Sequence, residues 1–187
     1  AVSHLDEDTL ANHLKHLGTG EFLYWRGVPP DSSYTFKHAL IQDAAYQSLL
    51  LSRRQQYHQQ VAQALEERFP DIVESQPELV AHHFTEAGLN QQAVNYWQQA
   101  GQIAMSRSAN AEAVNHVTKG LELLETLPDT PERAPQEVAL QTMLGQSYIQ
   151  IRGYTVPEAE KAFSRARELI DQIGDTSHSS PVSSQER

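Results

Sequence analysis

The chain has 187 residues, of which 39% are hydrophobic and 20% charged, and its formal net charge is −10 at pH 7. This composition excludes global disorder, and the length is sufficient to bury a core. The absence of cysteine excludes disulfides and thiolate metal sites, and no apolar run approaches the roughly 18 residues that a membrane-spanning helix needs.

The N-terminal part predicts one short helix and one β-hairpin. Leu10, Leu14 and Leu17 share one helical face within residues 5–17, and the sequence GTG that follows is expected to end that helix. Two β-prone runs, EFLYWRG and YTFK, flank the turn-forming sequence VPPDSS, which is typical of a hairpin. The rest of the sequence carries no strand signal.

From residue 38 onward the sequence predicts helices alone. Two apolar stripes mark the first two of these helices: Leu40, Ile41, Ala44, Ala45 and Leu49, then Tyr57, Val61, Leu65 and Phe69. Capping boxes are predicted at three helix starts, which are Ser52-Arg-Arg-Gln55, Ser75-Gln-Pro-Glu78 and Thr155-Val-Pro-Glu158. Further helices are predicted over residues 76–87, 91–107 and 109–127, and another restarts at Thr130-Pro131. A last helix, which Gly174 ends, is expected to turn Ala159, Ala162, Phe163, Ala166 and Ile170 inward. Residues 175–187 lack an apolar period and are predicted to be a disordered tail.

Two parts of the helical region share one pattern of small and aromatic residues. The two copies are Ala81, Phe84, Gly88, Ala93, Trp97 and Ala100, and Gly145, Tyr148, Gly153, Ala159, Phe163 and Ala166. Small residues let two helices approach closely, aromatic residues fill the gap to the next pair, and glycine permits the tight turn. The spacing resembles that of tetratricopeptide repeats and predicts a helical-repeat array over residues 75–174. The alternative is a generic α-helical bundle that uses the same alanines in its core.

Motifs of common catalytic and cofactor sites are missing from the sequence. It contains no GxxxxGK[ST] phosphate loop, no GxGxxG, no HExxH and no GxSxG. His13 and His16 lie one turn apart on the first helix, where Asp6 or Asp8 could join them, but a polar surface is the favoured interpretation. We therefore expect no catalytic residue, no bound metal and no cofactor in this chain.

The charge distribution argues against nucleic-acid binding. Residues 1–68 carry a net charge of −2 and the remainder −8, whereas proteins that bind the phosphate backbone carry a basic excess. Arg53-Arg54 could contact a phosphate and Tyr24-Trp25-Arg26 could stack on bases. Pairing with nearby acids is favoured for the arginines, and a core or interface role for the aromatic stretch.

Residues 21 to about 175 resemble one region of the bacterial STAND-class signalling ATPases (signal-transduction ATPases with numerous domains). The stretches that carry the resemblance are, in order, residues 21–24, 34–49, 54–58 and 78–84, followed by the alanine-rich repeats. Proteins of this class often carry an adenylate/guanylate cyclase, protein kinase or DNA-binding domain at the N-terminus. The resemblance implies the end of a winged-helix domain followed by the first tetratricopeptide-like repeats.

The fold class expected from this resemblance is mainly α, with a winged-helix remnant that contains one β-hairpin, followed by tetratricopeptide-like helical repeats. The winged-helix segment and its bridging helices would occupy residues 1–70, the repeats residues 71–174 and the tail residues 175–187. The resemblance also implies that the nucleotide-binding domain lies upstream in a parent protein. This chain would then be no enzyme by itself.

The resemblance implies a role for His38. Related ATPases carry a histidine at the strand-to-helix junction of the winged helix, in a Met-His-Asp-like motif, where it contacts the β-phosphate of bound ADP in the inactive state. His38 stands at that place, although Ala39 replaces the aspartate. His38 would therefore sense the nucleotide phosphate only in the parent protein. The alternative is a histidine that bonds to the hairpin backbone.

The predicted function is that of a non-catalytic, cytoplasmic regulatory segment that binds a protein partner or effector on its repeats and relays this event to the upstream ATPase domain. The polar residues expected to contact the partner are Asn95, Gln98, Gln99, Asn115 and Lys119. The alternative is a fragment of a winged-helix transcriptional regulator that binds nucleic acid. No contact with a membrane is expected.

Overall fold

The computed structural model describes residues 5–28, 31–154 and 156–178. Over these residues the chain forms nine helices and one hairpin, in the order α1 (Glu7–Thr19), β1 (Leu23–Val28), β2 (Asp31–Phe36), α2 (Ala39–Ser48), α3 (Leu51–Arg68), α4 (Pro70–Ser75), α5 (Pro77–Glu86), α6 (Asn90–Ser106), α7 (Asn110–Glu125), α8 (Arg133–Arg152) and α9 (Pro157–His178). The prediction of a mainly α fold with one β-hairpin is confirmed. Within the described ranges, no helix combines the length and the apolar character that crossing a membrane requires.

The hairpin forms as the sequence predicts. Strands β1 and β2 are antiparallel, with Leu23 opposite Phe36 at one end and Val28 opposite Asp31 at the other. The predicted turn residues 29–30 lie outside the described residues, and β2 begins at Asp31, inside the stretch predicted as turn. Leu23 is the one hairpin residue that is buried in the described part of the chain.

The apolar stripe predicted for α2 is not buried. Helix α2 forms, but none of its residues is buried, and Leu40 is 82% exposed. Leu50 and Leu51, which follow this helix, are 73% and 62% exposed. The periodicity therefore predicts the helix correctly, whereas the expected apolar cover for its stripe is missing among the described residues.

Two of the three predicted capping boxes are wrong. Helix α3 begins one residue before Ser52, without a capping side chain. Gln76 rather than Ser75 is the N-cap of α5, because the Ser75 hydroxyl donates a hydrogen bond back to the carbonyl of Asp71 in α4. The third box begins at Thr155, which lies outside the described residues.

Helices α3 and α5–α9 pack as consecutive neighbours along the chain, as expected for a helical-repeat array. The core lies in two adjoining clusters. The first joins α3, α5 and α6 and contains Ala62, Val80, Ala81, Phe84, Ala93, Trp97 and Ala100. The second joins α6, α7 and α8 and contains Val94, Val117, Leu124, Leu140 and Met143. The small and aromatic residues of the first predicted copy, apart from its turn glycine, therefore form this core.

The turns α5–α6 and α6–α7 repeat the same backbone geometry. Gly88 has a φ of 74° in the first turn, and Ser108 has a φ of 60° at the equivalent place in the second. Each turn ends with an N–H that reaches back five residues, from Leu89 to the carbonyl of Phe84 and from Ala109 to that of Ala104. Helix α6 therefore belongs to two successive helix pairs.

The end of the array differs from its prediction in two respects. Leu169 of α9 is 4% exposed, whereas Ile170, which was expected to point inward, is 54% exposed. Helix α9 also continues to His178, so neither the predicted helix end at Gly174 nor the first four residues of the predicted tail are correct. Residues 179–187 lie outside the described residues.

Candidate functional site

Three histidines meet beside Tyr46 where α2, α3 and α5 come together. We call His58 of α3 with His82 and His83 of α5 the histidine cluster. His58 and His83 share a hydrogen bond of 2.9 Å between their Nδ1 atoms. The other ring nitrogen of His58, Nε2, lies 3.0 Å from the Tyr46 hydroxyl, which in turn donates to the Glu86 carboxylate at 3.5 Å.

Burial disfavours the charged forms of His58 and His83 by lowering their pKa values. Desolvation, assisted by the neighbouring imidazoles of His58 and His82, lowers the pKa of His83 to about 4, and Glu86 opposes this shift only in part. Desolvation also lowers the pKa of His58, where Glu86 acts in the opposite direction and His82 in the same one. At neutral pH, His58 and His83 are therefore neutral and can each offer one donor and one acceptor.

An open cleft of about 730 Å³ adjoins the histidine cluster. Its lining comes from β2, α2, α3 and α5 and consists of Phe36, Gln42, Asp43, Ala45, Tyr46, Leu49, His58, His82 and Glu86. Both ring nitrogens of His58 are already engaged in hydrogen bonds. Over the ranges that the structure describes, no three histidine or carboxylate side chains are arranged to hold a metal ion. The arrangement can carry a proton along a hydrogen-bonded chain, but it presents no activated nucleophile.

His38 lies at the junction between β2 and α2, as the sequence predicts. It is the N-cap of α2, its side chain is exposed, and its imidazole makes no capping hydrogen bond. Its backbone carbonyl accepts hydrogen bonds from the N–H groups of Ile41 and Gln42. The His38 backbone, rather than its imidazole, therefore makes the hydrogen bonds at the start of α2.

The five polar residues predicted to contact a partner lie in two separate groups. Asn95, Gln98 and Gln99 line a shallow depression of about 380 Å³ on α6, and the side-chain carbonyl of Asn95 accepts a 2.6 Å hydrogen bond from Gln136 of α8. Asn115 and Lys119 lie on α7 and are exposed.

Lys119 shows that the two groups face different sides of α6. Its ammonium lies 4.5 Å from the centroid of the Trp97 ring, and the other side chain stacked on that ring is His116. At about 100° per residue, Trp97 is roughly 200° away from Asn95 around the helix. Asn95 and Lys119 therefore lie on different sides of α6.

The residues considered for nucleic-acid contact are engaged with neighbours or lie in the open. Arg54 donates to Gln47 and lies over the Tyr46 ring, and Arg53 donates to Gln56. The arginines therefore bond to amides rather than to the acids that the sequence suggested. Trp25 is 62% exposed, and part of its ring lies against α1, because a Cβ atom on Gly18 would stand 2.9 Å from that ring.

Sequence reasoning missed the network formed by Tyr46, His58, His83 and Glu86. These residues are up to 40 positions apart, and only the packing of three helices brings them together. One signal was available, since His58 and His83 both lie in stretches that carry the family resemblance. His13 and His16 are exposed on α1 and are not part of this network.

Comparison with known proteins leaves the family open. No protein-family model matches the chain. No solved structure matches it. An uncharacterized protein from Rhizobium meliloti (strain 1021) is 28% identical over 163 residues, which cover 87% of this chain but 16% of the relative. The chain thus corresponds to a small part of a much longer relative.

Proposed function

We propose that this chain is a non-catalytic regulatory and protein-interaction segment of a larger signalling protein, of the STAND ATPase class that its residues 21 to about 175 resemble. In this proposal the helical array binds a protein partner or effector. The N-terminal hairpin and α2 then pass that event to an upstream nucleotide-binding domain. The proposal is carried by one observation, which is that large apolar side chains of the hairpin and around α2 are exposed among the described residues, beside a well-packed helical array.

We use the name hairpin–α2 surface for the exposed large apolar side chains of the hairpin, of α2 and of the start of α3, which are Tyr24, Trp25, Val28, Leu40, Leu50 and Leu51. Because side chains alternate along a strand, Tyr24 and Val28 face one side of the hairpin and Trp25 faces the other. Each of these side chains is between 61% and 82% exposed. Scattered exposed apolar residues are ordinary, whereas a concentration of large ones in neighbouring elements is typical of a surface that another protein covers. The helical array, in contrast, buries its apolar side chains, and its core residues Val80, Val94 and Val117 are completely buried.

The length of the relative from Rhizobium meliloti is compatible with this proposal. The matched region makes up 16% of that protein, so a related sequence exists as part of a much longer polypeptide. Its additional length offers room for further domains. A segment of this kind needs no catalytic residue of its own, which agrees with a sequence that lacks the common catalytic motifs.

His38 would have its role only in the complete protein. Its imidazole is exposed at the start of α2, next to the hairpin–α2 surface. A domain that covers this surface would bring its bound nucleotide within reach of the imidazole. The histidine could then donate a hydrogen bond to a phosphate oxygen.

The coding sequence upstream of Ala1 and a binding measurement together test the proposal. We expect the upstream sequence to encode a GxxxxGK[ST] loop, and we expect the domain that contains it, produced separately, to bind this chain in calorimetry. Replacing Leu40 and Leu50 by serine should weaken binding by about tenfold or more, since each leucine contributes apolar area to the contact.

The matched control is Ile170→Ser, which changes a side chain of similar size and 54% exposure on α9. This variant should bind as the parent chain does. The proposal is wrong if the upstream sequence lacks the phosphate loop, or if the leucine substitutions leave the affinity unchanged.

A further inference from the structure

We propose that the carboxamide side chains on one face of α6 hold an extended segment of a partner protein through the backbone of that segment. We use the name carboxamide stripe for Asn95, Gln98, Gln99 and Gln102, which line the shallow depression on α6. This role rests on the proposed function, in which the helical array binds a protein partner, and it specifies which chemical groups of the partner are bound.

The carboxamide stripe occupies the outer face of a firmly held helix. Its residues follow one another at intervals of three, one and three positions, which places them on one side of α6. Val94, Trp97 and Ala104 are buried on the opposite side and fix this helix in the core. In the described part of the chain, the side chains of Gln98, Gln99 and Gln102 make no hydrogen bond, so they are available to a ligand.

Helix α6 offers hydrogen bonds without charge. None of its 17 residues is Asp, Glu, Lys or Arg, whereas every other helix of the described ranges contains at least one of them. The outer face of a surface helix ordinarily mixes charged with polar residues. A phosphate-bearing ligand would find no cation on α6. The stripe therefore suits a ligand that is uncharged where it is contacted and that carries both donors and acceptors.

Gln136 of α8 shows how this face of α6 binds an amide. Its side-chain carbonyl accepts a hydrogen bond from Gln91 at 3.0 Å, and its NH₂ group donates to Asn95 at 2.6 Å. Gln91 and Asn95 lie one turn apart, so a single amide joins two successive carboxamides of the helix. A peptide group has the same C=O acceptor and an N–H donor. Peptide groups of a partner can therefore continue this pattern along the stripe.

The spacing of the carboxamide stripe fits an extended chain. Asn95 and Gln99 are separated by one turn, as are Gln98 and Gln102, which is about 6.0 Å along the helix axis. In an extended peptide, the groups that face one side repeat about every 6.6 Å. Flexible glutamine side chains absorb a difference of about 0.6 Å per repeat. A helical ligand would use its backbone groups internally and could not bind in this way.

The first test uses a phage-displayed library of random peptides of about 12 residues, which exceed the length of the stripe when extended. The library is selected on the 187-residue chain and then depleted on the double variant Gln98→Glu/Gln102→Glu, which replaces two NH₂ donors by charged acceptors. We expect to recover peptides that bind the parent chain and not the double variant. Failure to recover any such peptide would overturn the proposal.

The second test asks whether a recovered peptide is held by its backbone. Fluorescence anisotropy measures the affinity of copies in which one backbone amide at a time is N-methylated. Methylation should weaken binding about threefold to tenfold at every second residue, because each loss removes one hydrogen bond and same-side groups alternate in an extended chain. Alanine replacement of the side chains at the same residues should change the affinity less than about twofold. Losses that follow the side chains alone would overturn the proposal.

A matched double variant controls for the added charge. Gln59→Glu/Gln63→Glu makes the same chemical change at two exposed glutamines one turn apart on α3. This control should bind the recovered peptides as the parent chain does, whereas Gln98→Glu/Gln102→Glu should bind about tenfold or more weakly, as expected for two lost hydrogen bonds. Equal affinities of the two double variants would overturn the proposal, and circular dichroism verifies that both are folded.

These results are separable from the test of the proposed function, which uses Leu40 and Leu50 of the hairpin–α2 surface. If the peptide tests fail while the leucine substitutions weaken binding of the upstream domain, the carboxamide stripe has no such role and the proposed relay stands. If peptides bind the stripe as described and the upstream domain does not bind, the relay is wrong and the stripe remains a peptide-binding surface.

Discussion

Gly101 of α6 lies so close to Val117 of α7 that a Cβ atom on the glycine would stand 2.7 Å from a methyl carbon of the valine. Val117 is completely buried, and the Met143 methyl would be 3.0 Å away on another side. The absence of a side chain at residue 101 therefore sets the distance between two neighbouring helices at the centre of the array.

We expect Gly101→Ala to destabilise the chain. Overpacking of this kind costs about 1–3 kcal/mol, and the better helix propensity of alanine returns no more than about 1 kcal/mol. Gly174→Ala in α9 is the matched control, because nothing in the described part of the chain lies within 4 Å of its added Cβ. Urea unfolding should show a lower free energy of unfolding for Gly101→Ala and a slightly higher one for Gly174→Ala. Equal gains for both would show that the helices can move apart freely.

A second prediction concerns the turn between α6 and α7. Ser108 has a φ of 60°, a conformation that is unfavourable for residues with a side chain, while the equivalent turn uses Gly88. Ser108→Gly should therefore raise the unfolding free energy by roughly 0.5–1 kcal/mol. Ser106→Gly, two residues earlier inside α6, should lower it, since glycine weakens a regular helix. Thermal unfolding of both variants tests whether their changes in unfolding free energy have opposite signs.

The ion pair between α8 and α9 predicts a third outcome. Arg165 donates through Nε to Glu137 at 2.7 Å, and the Glu137 side chain is only 12% exposed. Arg165→Met should cost about 1–3 kcal/mol, because it leaves a carboxylate buried without its partner. Glu168, the other acid beside Arg165, is 64% exposed, so Glu168→Gln should change stability by less than about 0.5 kcal/mol. Similar losses of stability in the two variants would contradict the conclusion that the buried Glu137 depends on Arg165.

Stability should fall as the pH is lowered through the range in which the protonation of His83 differs between the folded and unfolded states. Its pKa is lowered from 6.5 to about 4 in the folded chain, so the unfolded chain binds more protons between these values. The unfolding free energy therefore decreases from about pH 6.5 toward pH 4. Urea unfolding across this range should show a shallower decrease for His83→Gln than for the parent chain. His13→Gln, a change on the exposed side of α1, should keep the parental slope.

His38→Ala should leave the fold nearly unchanged. The side chain is exposed and provides no cap for α2, so we expect a change in unfolding free energy of less than about 0.5 kcal/mol. Thermal unfolding measures the change in stability. Under the proposed function, the same variant in a longer parent protein should alter nucleotide-dependent signalling. Unfolding of the isolated chain by this substitution would mean that His38 has a packing role.

Local features of the fold were predictable because their causes lie within a few residues. The hairpin, the stop at Gly88 and the helices of the array follow from turn residues and apolar periods that act inside single elements. Capping was less predictable. The Ser75 hydroxyl donates to two backbone carbonyls of α4 and makes no capping hydrogen bond with an amide of α5. Sequence spacing could not distinguish these competing hydrogen bonds.

The sequence by itself determined the fold class, the order of the elements apart from the short helix α4, and the small residues at the helix contacts, because periodicity and residue size already carry that information. Only the tertiary structure decided that the described residues do not bury the apolar stripe of α2, since burial depends on what lies opposite a helix. It also decided that His58 meets His83, because a hydrogen bond between residues 25 positions apart exists only once α3 packs on α5.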